Sequence, residues 1–173
     1  IHPYNDLRII AGQATACYEL IVGHSQLDTV IAPVGGGGLL SGTAISAHYM
    51  SPGIEVIGAE PKGADDALRS FESGKLIPSE NPKTIADGLL TSLGSLTFPI
   101  ITKYVNKIIT VSEESIITAM RLIWERMKII VEPSSAVPFA AVLENPGLFA
   151  GKNIGIIVSG GNVDLDNLPW IKN

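Results

Sequence analysis

The chain has little of several things, and each shortage excludes a class of protein. It has one cysteine, Cys17, which excludes an internal disulfide framework and predicts a reducing, cytoplasmic setting. Charged residues make up 17% and the net charge is −5, so no nucleic-acid surface is expected. Apolar runs are short, as at 154–158, so no membrane span is predicted. The 46% of apolar residues in 173 indicates one globular domain with a real core.

Short apolar stretches alternate with helix patterns along the chain. The alternation predicts an α/β fold with a mostly parallel, twisted sheet flanked by helices. The longest predicted helix runs from Ser112 to about Ile130, and Ser112 is its expected cap. Ligands of such sheets bind beyond the carboxyl ends of the strands. The predicted strands are 30–34, 55–60, 107–111 and 153–158.

Four consecutive glycines, Gly35, Gly36, Gly37 and Gly38, follow the first predicted strand and precede a helix that begins near Leu39. Residues without Cβ allow several backbone N–H groups to surround an anion, and the helix N-terminus adds its own N–H groups and dipole. A tight turn is the simpler alternative, but it needs fewer glycines. The pattern therefore favours a phosphate site.

The glycine run does not match the best-known nucleotide loops. Leu40 stands where the third glycine of a dinucleotide fingerprint belongs, which disfavours a dehydrogenase, and no Gly-Lys-Ser/Thr closes a Walker A loop. A second polar turn, Ser159-Gly160-Gly161-Asn162, ends the last predicted strand. Its serine could present Oγ to a ligand or merely cap the loop, and the motif alone leaves both open.

Carboxylates cluster after the second predicted strand. Glu60, Asp65 and Asp66 lie within seven residues, a pattern that suits a hard cation such as Mg²⁺. By itself the cluster is better explained as acids at a helix N-terminus, where they favour the dipole. Glu132 before Pro133 could likewise meet a ligand or simply start a helix. Lys128 nearby could reach an anion, but a solvent-exposed position at the end of a helix is the preferred interpretation.

Several motifs occur together and in order, and they carry a resemblance that covers essentially the whole chain. They are His2-Pro3-Tyr4, Val34 to Leu39, Thr84 to Gly88, Glu132 to Ala136, and Ser159 to Asp164. With them the chain resembles the C-terminal part of fold-type II pyridoxal-phosphate enzymes of the serine racemase and threonine dehydratase family. The resemblance implies the large domain of the tryptophan-synthase-β-like fold, with residues 1–6 ending a preceding segment.

The resemblance implies roles for individual residues. Gly35 to Gly38 with Leu39 would hold the phosphate of pyridoxal 5'-phosphate, Ser159 would hydrogen-bond the pyridine nitrogen, and Gly88 would lie near the cofactor. A neutral hydroxyl at the ring nitrogen tempers the electron sink, which suits racemisation and β-elimination. Tyr4 departs from the asparagine of the animal enzymes, and its role stays open.

The resemblance also implies two further sites. Glu60, Ala64 through its carbonyl, and Asp66 match the divalent-cation site of serine racemases, which reverses the preference for a helix terminus and points to Mg²⁺, Ca²⁺ or Mn²⁺. Lys128 and Asn162 match positions that hold ATP as an effector in that family. The acidic set favours a serine racemase over a short catabolic threonine dehydratase.

One family feature is absent from the printed sequence. The Schiff-base lysine of the family sits in a Ser-x-Lys-x-Arg segment, and no such segment occurs here. We therefore expect no catalytic residue in this chain, an N-terminal half of the same enzyme as its partner, and no turnover by the 173 residues alone. The resemblance further implies an amino-acid substrate and a homodimer.

Three functions remain as alternatives. The preferred one is a serine racemase that also dehydrates serine or threonine. The second is a dedicated threonine or threo-3-hydroxyaspartate dehydratase, which differs in substrate rather than in chemistry. The third, from another class, is a non-catalytic phosphate- or nucleotide-binding module, for which the missing lysine argues.

Overall fold

A computed structural model describes residues 1–171 as strands and helices in regular alternation. The strands are β1 (Thr29–Pro33), β2 (Glu55–Pro61), β3 (Lys107–Val111) and β4 (Ile154–Ile156). The helices are α1 (Leu7–Gly23), α2 (Gly38–Met50), α3 (Asp66–Ser73), α4 (Thr97–Tyr104), α5 (Glu113–Leu122), α6 (Pro133–Glu144) and α7 (Pro146–Phe149). Short 3₁₀ turns cover Lys62–Ala64 and Asp87–Leu89, and a π turn covers Ile123–Met127. In this part of the chain no helix is long and apolar enough to cross a bilayer.

The four described strands form one parallel sheet in the order β3-β2-β1-β4. The predicted parallel α/β sheet is therefore confirmed. From β1 the chain steps to β2 and then β3 on one side, whereas β4 pairs with the opposite side of β1. The strand order therefore reverses at β1, because β2 lies on one side of it and β4 on the other. A crevice opens at such a point beyond the carboxyl ends of the strands, where α/β proteins bind ligands.

Helices cover both faces of the sheet because successive strand residues point to opposite sides. Ile31, Ile57 and Ile109 belong to the core under α5 and α6. Val30 and Val56 belong to a second core under α1, α2 and α4. Burial on both faces explains why the strands read as continuous apolar runs without polar alternation.

Helices α1 and α2 cross at Gly42, where the two backbones nearly touch. A Cβ on Gly42 would lie 2.5 Å from the amide nitrogen of Ala14 and 2.7 Å from the carbonyl oxygen of Ile10. Ser46, one turn further along α2, donates a 2.7 Å hydrogen bond to the Ala14 carbonyl. The small residues of α2 therefore bring α1 close to the glycine run that begins α2.

The long helix predicted over 112–130 is shorter in the structure. Ser112 caps α5 as predicted, but regular α-helix ends at Leu122, and a π turn leads to Lys128 with φ of 60°. A residue in the left-handed region ends a helix. The indole Nε1 of Trp124 donates to the Val131 carbonyl at 2.9 Å, which holds the segment that follows against the core. The apolar pattern alone could not reveal this break.

Candidate cofactor site

The carboxyl ends of β1 and β4 open onto a cavity of about 260 Å³. Its walls come from segments far apart in the sequence, which meet only because the sheet order sets β1 beside β4. All the residues predicted to hold the cofactor line it, namely Gly35, Gly36, Gly37, Gly38, Leu39, Gly88 and Ser159. Contact of each with the cofactor stays a prediction, but the structure places them around one cavity.

The glycine run forms one wall, with its amide groups available. Gly37 adopts the left-handed conformation (φ of 85°) as the residue before α2, and no side chain caps this helix end. In the described chain, no hydrogen bond is donated by the N–H of Gly35, Gly36 or Gly37. The first N–H groups of α2 are free of intrahelical partners as well, as at any helix start. Buried N–H groups of this kind need an acceptor, and an anion at a helix N-terminus is a suitable one.

Thr97 holds the glycine run from behind. Its hydroxyl donates a 2.8 Å hydrogen bond to the Gly36 carbonyl, and the Gly94 amide donates to that hydroxyl at 2.8 Å. Thr97 is fully buried at the start of α4. A Cβ on Gly37 would lie 2.8–2.9 Å from Ile101, Leu93 and Thr97 side-chain atoms, so these atoms would have to shift to admit it. The run is thus held rigidly, which a ligand cradle requires.

The N-terminal segment closes the cavity from above. The ring of Tyr4 lies against Gly36 and leaves no room for a Cβ there, and the Tyr4 backbone and Cβ lie against Gly38. Asn5 fixes the segment, because its Oδ1 accepts from the Leu96 amide at 2.7 Å. The sequence left the role of Tyr4 open. The structure makes it a wall of the cavity beside the glycine run.

The opposite wall is built on the Ser159-Gly160 turn. The Ser135 hydroxyl lies 3.0 Å from the Ser159 hydroxyl, and it lies 2.6 Å from both the amide nitrogen and the carbonyl oxygen of Gly160. Glu132 adds to the attachment, because its amide donates to the Gly160 carbonyl at 3.1 Å and its Oε2 accepts from the Asn162 amide at 3.0 Å. Residues at the start of α6 therefore orient the last strand's turn.

Two residues at the start of α6, Glu132 and Ser134, also line the cavity, and the sequence had indicated no role for Ser134. Ser134 is buried, and its hydroxyl accepts a 3.1 Å hydrogen bond from the Gly88 amide, so it ties the 3₁₀ turn to α6. Glu132 lines the cavity as well, and it is the residue before α6, so the expectation that it starts a helix is met. Its contact with a ligand stays a prediction. The Glu-Pro-Ser-Ser run is the only sequence signal for these contacts.

The residues predicted to hold a divalent cation lie together at the end of β2. Glu60 and Asp66 are almost fully buried, at 1% and 2% exposure, and no ion pair of the described chain includes either. Burial raises the pKa of Glu60 to about 8, with the Asp66 charge adding to the rise and the Leu68 and Ala67 amides opposing it. Burial also raises the pKa of Asp66 to about 6, although the hydrogen bond from the Leu93 amide lowers it in part. Buried carboxylates without a cation are costly.

Both carboxylates accept hydrogen bonds from backbone amides. Glu60 accepts from the Leu68 amide at 2.7 Å and from the Ala67 amide at 3.2 Å, so it caps α3. Ala64 is in the 3₁₀ turn between them, and Asp65 pairs with Arg69 at 2.8 Å. Residues 1–171 contain no group of three acidic, cysteine or histidine side chains gathered as metal ligands. Two carboxylates and a carbonyl remain a suitable set of oxygen donors.

The two residues predicted to bind an effector nucleotide lie on different segments. Lys128 is exposed at the end of the π turn. Asn162 is in the loop after β4, where its backbone amide donates to Glu132 and its side chain lines a shallow depression beside Asp164. Their role in binding ATP stays a prediction.

A parallel α/β sheet with free amide groups at its switch point, and a hydroxyl facing them across a cavity, is the arrangement expected of a protein that binds a phosphate-bearing ligand. Residues 1–160 match the protein family described as "Pyridoxal-phosphate dependent enzyme". The chain belongs to this family of pyridoxal-phosphate-dependent enzymes.

Relatives with known names are racemases and ammonia-lyases. The chain is 53% identical over 170 residues to the β-hydroxyaspartate dehydratase of Paracoccus denitrificans, covering 98% of this chain and 54% of the relative. It is 53% identical over 180 residues to the serine racemase of Dictyostelium discoideum, covering 100% and 55%. The chain thus spans about half the length of these curated relatives.

Solved structures of a serine racemase and a threonine deaminase share the fold of this chain. The crystal structure of the Dictyostelium discoideum serine racemase superimposes with a TM-score of 0.91 at 54% identity, covering 95% of this chain and 53% of that one. The crystal structure of a T.th. threonine deaminase superimposes with a TM-score of 0.90 at 46% identity, covering 95% and 62%. The resemblance stated from the motifs is confirmed, and so is the fold.

Proposed function

We propose that this chain forms the part of a pyridoxal-phosphate-dependent serine racemase and dehydratase that holds the cofactor's phosphate and ring nitrogen. The single observation that carries the proposal is the cavity between the glycine run and Ser159. Amide donors without partners on one wall suit a phosphate, and a hydroxyl on the other suits a ring nitrogen. The names of the relatives support the reaction class.

Bound pyridoxal phosphate supplies an electron sink that stabilises negative charge on the Cα of an attached amino acid. The residues of this chain bind and orient. The N–H groups of Gly35 to Leu39 and the dipole of α2 would hold the phosphate, and Ser159 would hold the ring nitrogen. Tyr4, which lies against Gly36, would cover the phosphate end of the cavity.

The proposed substrate is a small β-hydroxy amino acid. Removal of the Cα proton and its return to the other face inverts serine. Loss of the β-hydroxyl as water instead leaves an enamine, whose imine tautomer takes up water to give a 2-oxo acid and ammonia. A dedicated threo-3-hydroxyaspartate dehydratase is the alternative, and it is favoured by the Paracoccus denitrificans relative and by the 46%-identical L-threo-3-hydroxyaspartate ammonia-lyase of Saccharomyces cerevisiae. Both share the cofactor site.

The lysine that carries the cofactor comes, in this proposal, from another polypeptide segment. No lysine lines the cavity in the part of the chain that the structure describes. We therefore expect the 173 residues alone to bind the cofactor without turnover. An N-terminal half of the enzyme completes the site, and β4, which pairs on one side with β1, offers its other edge for such a partner. A homodimer of the completed enzyme is part of the proposal.

Pyridoxine 5'-phosphate tests the cofactor site without a covalent bond, because it keeps the ring and phosphate but lacks the aldehyde. Equilibrium dialysis compares its affinity for the chain with that of pyridoxine. A phosphate held by several amide donors is worth at least one charged hydrogen bond, so we expect binding to be weakened about tenfold or more without it. Equal affinity for the two ligands, or no binding of either, would contradict the proposal.

Substrate kinetics separate the three functions. The enzyme completed with its N-terminal half, loaded with pyridoxal phosphate, is given L-serine, L-threonine and L-threo-3-hydroxyaspartate in turn. Formation of D-serine supports the racemase, and 2-oxo acid from hydroxyaspartate alone supports the dedicated dehydratase. Absence of turnover with every substrate would favour the non-catalytic module.

A divalent cation held by Glu60, Asp66 and the Ala64 carbonyl belongs to the same proposal. Two buried carboxylates within reach of each other's charge support it, since a cation would remove their repulsion. We expect Mg²⁺, Ca²⁺ or Mn²⁺ at millimolar concentration to raise the melting temperature of the chain. Glu60→Gln keeps the size of the side chain and should abolish the increase. An equal increase in both proteins would reject the site.

An effector nucleotide at Lys128 and Asn162 is proposed from the family resemblance. Equilibrium dialysis of the completed enzyme with ATP tests it, and Lys128→Ala should weaken binding by removing a phosphate partner. Unchanged affinity in that variant would remove Lys128 from the site.

A further inference from the structure

The hydroxyls of Ser159 and of Ser135 behind it have enough protons for their contacts within the protein, but none to spare for a ring nitrogen that needs a donor. A hydroxyl has one proton to donate and two lone pairs to accept. Ser135 Oγ lies 2.6 Å from the Gly160 amide nitrogen, which must donate to it, and 2.6 Å from the Gly160 carbonyl oxygen, which can only accept. It also lies 3.0 Å from Ser159 Oγ, where either hydroxyl can donate. One lone pair of Ser135 is therefore committed to the Gly160 amide.

The remaining contacts allow two proton arrangements. In the first, Ser135 donates to the Gly160 carbonyl, and Ser159 donates its proton to Ser135. Ser159 then presents only lone pairs to the cavity. In the second, Ser135 donates to Ser159, and the Ser159 proton is free to point into the cavity. The Gly160 carbonyl then keeps only the 3.1 Å bond from the Glu132 amide.

The distances favour the first arrangement in the structure as it stands. The 2.6 Å contact to the carbonyl is shorter than the 3.0 Å contact to Ser159, as expected where the Ser135 proton lies on the carbonyl. Ser135 is fully buried, so no water replaces a lost bond. A ring nitrogen that carries a proton can donate to Ser159 in this arrangement. A neutral ring nitrogen needs the Ser159 proton, and taking it disrupts the first arrangement.

We propose that Ser135 is a positioning residue that competes with the cofactor's ring nitrogen for the proton of the Ser159 hydroxyl. The proposal rests on the proposed function, because it concerns the same ring-nitrogen wall. Ser135 does not line the cavity and acts only through Ser159. Its consequence is that the bound ring nitrogen keeps its own proton to higher pH than Ser159 alone would permit. Ser135 thereby adjusts the strength of the electron sink from behind the cavity wall.

The test follows the titration of the ring nitrogen directly. Pyridoxine 5'-phosphate labelled with ¹⁵N in the ring is bound to the chain, and its ¹⁵N chemical shift is recorded against pH. Ser135→Ala removes the competing acceptor, so the titration midpoint should fall by about 0.5–1 pH unit, the equivalent of one hydrogen bond. Affinity for the neutral ring should rise about three- to tenfold. The titratable side chains that line the cavity in the described chain, Glu132 and Tyr4, are unchanged in the variant.

Further variants separate positioning from loss of stability. Ser135→Thr restores a hydroxyl and should restore the midpoint, and Ser135→Cys, a weak hydrogen bonder of similar size, takes the place of alanine if that variant does not fold. Ser46→Ala removes a buried serine hydroxyl of α2 that lies outside the cavity lining, and it should leave the midpoint unchanged. In a Ser159→Ala background, Ser135→Ala should add nothing, because the connecting hydroxyl is gone.

The outcomes are distinct. No binding of pyridoxine 5'-phosphate by the wild-type chain would refute the cofactor site itself. Binding with an unmoved midpoint in Ser135→Ala would overturn the role of Ser135 and leave the cofactor site standing. An equal shift in the presence and absence of the Ser159 hydroxyl would also overturn it. A fall that requires Ser159 and is reversed by threonine supports the proposal.

Discussion

Replacing Gly37 with alanine tests the physical basis of the glycine run. Gly37 has φ of 85°, a conformation that costs a residue with a Cβ about 1–2 kcal/mol. The new methyl group would also lie 2.8 Å from Ile101 Cδ1 and 2.9 Å from both Leu93 Cδ2 and Thr97 Oγ1, which is overpacking worth about 1–3 kcal/mol. Alanine restricts the unfolded chain and returns about 0.4–1 kcal/mol. The free energy of unfolding should therefore fall by about 1–4.5 kcal/mol.

Gly74→Ala is the matched control for this substitution. Gly74 has φ of 68° at the end of α3, and nothing lies within 4 Å of the point where its Cβ would be, so it carries the backbone cost without the overpacking. Urea denaturation of both variants gives the difference, which should be about 1–3 kcal/mol. Gly37→Ala should also weaken binding of pyridoxine 5'-phosphate, and Gly74→Ala should not. If the two variants were equally stable, the close packing argued for Gly37 would be refuted.

Two further predictions concern the helices. Gly42→Ala should destabilise the chain by about 1–3 kcal/mol in urea, since its Cβ would lie 2.5 Å from the Ala14 amide nitrogen, whereas Gly12→Ala on the open face of α1 should stabilise it. Desolvation raises the pKa of Glu144, but hydrogen bonds led by Ser112 outweigh it and lower the pKa to about 2. Glu144→Gln should cost about 1 kcal/mol at pH 7, and the cost should shrink as pH falls below 4.5 towards 2; a constant cost would contradict the assignment.

Much of the fold could be predicted because its signals are local. Strand 107–111, the Ser112 cap of α5 and the start of α6 at Pro133 depend on neighbouring residues, and the structure has them as predicted. The end of α5 could not be predicted, because the left-handed Lys128 depends on how 128–132 packs against the core. Apolar periodicity continues through that segment and conceals the break.

The sequence by itself determined where the backbone could turn sharply and leave its amide groups uncovered. Four residues without Cβ after a buried strand and before a helix allow positive φ, which Gly37 adopts, and leave room for close neighbours. It also determined the family, because its motifs keep their order and spacing along the chain.

Only the tertiary structure decided what surrounds the cradle. Thr97 reaches Gly36 across 61 positions, and Asn5 reaches Leu96 across 91. The contact of Ser135 with Ser159 spans 24 positions and exists because β4 returns to lie beside β1. Hydrogen bonds over such separations depend on the strand order and on Ångström-scale packing, and neither is encoded in any local pattern.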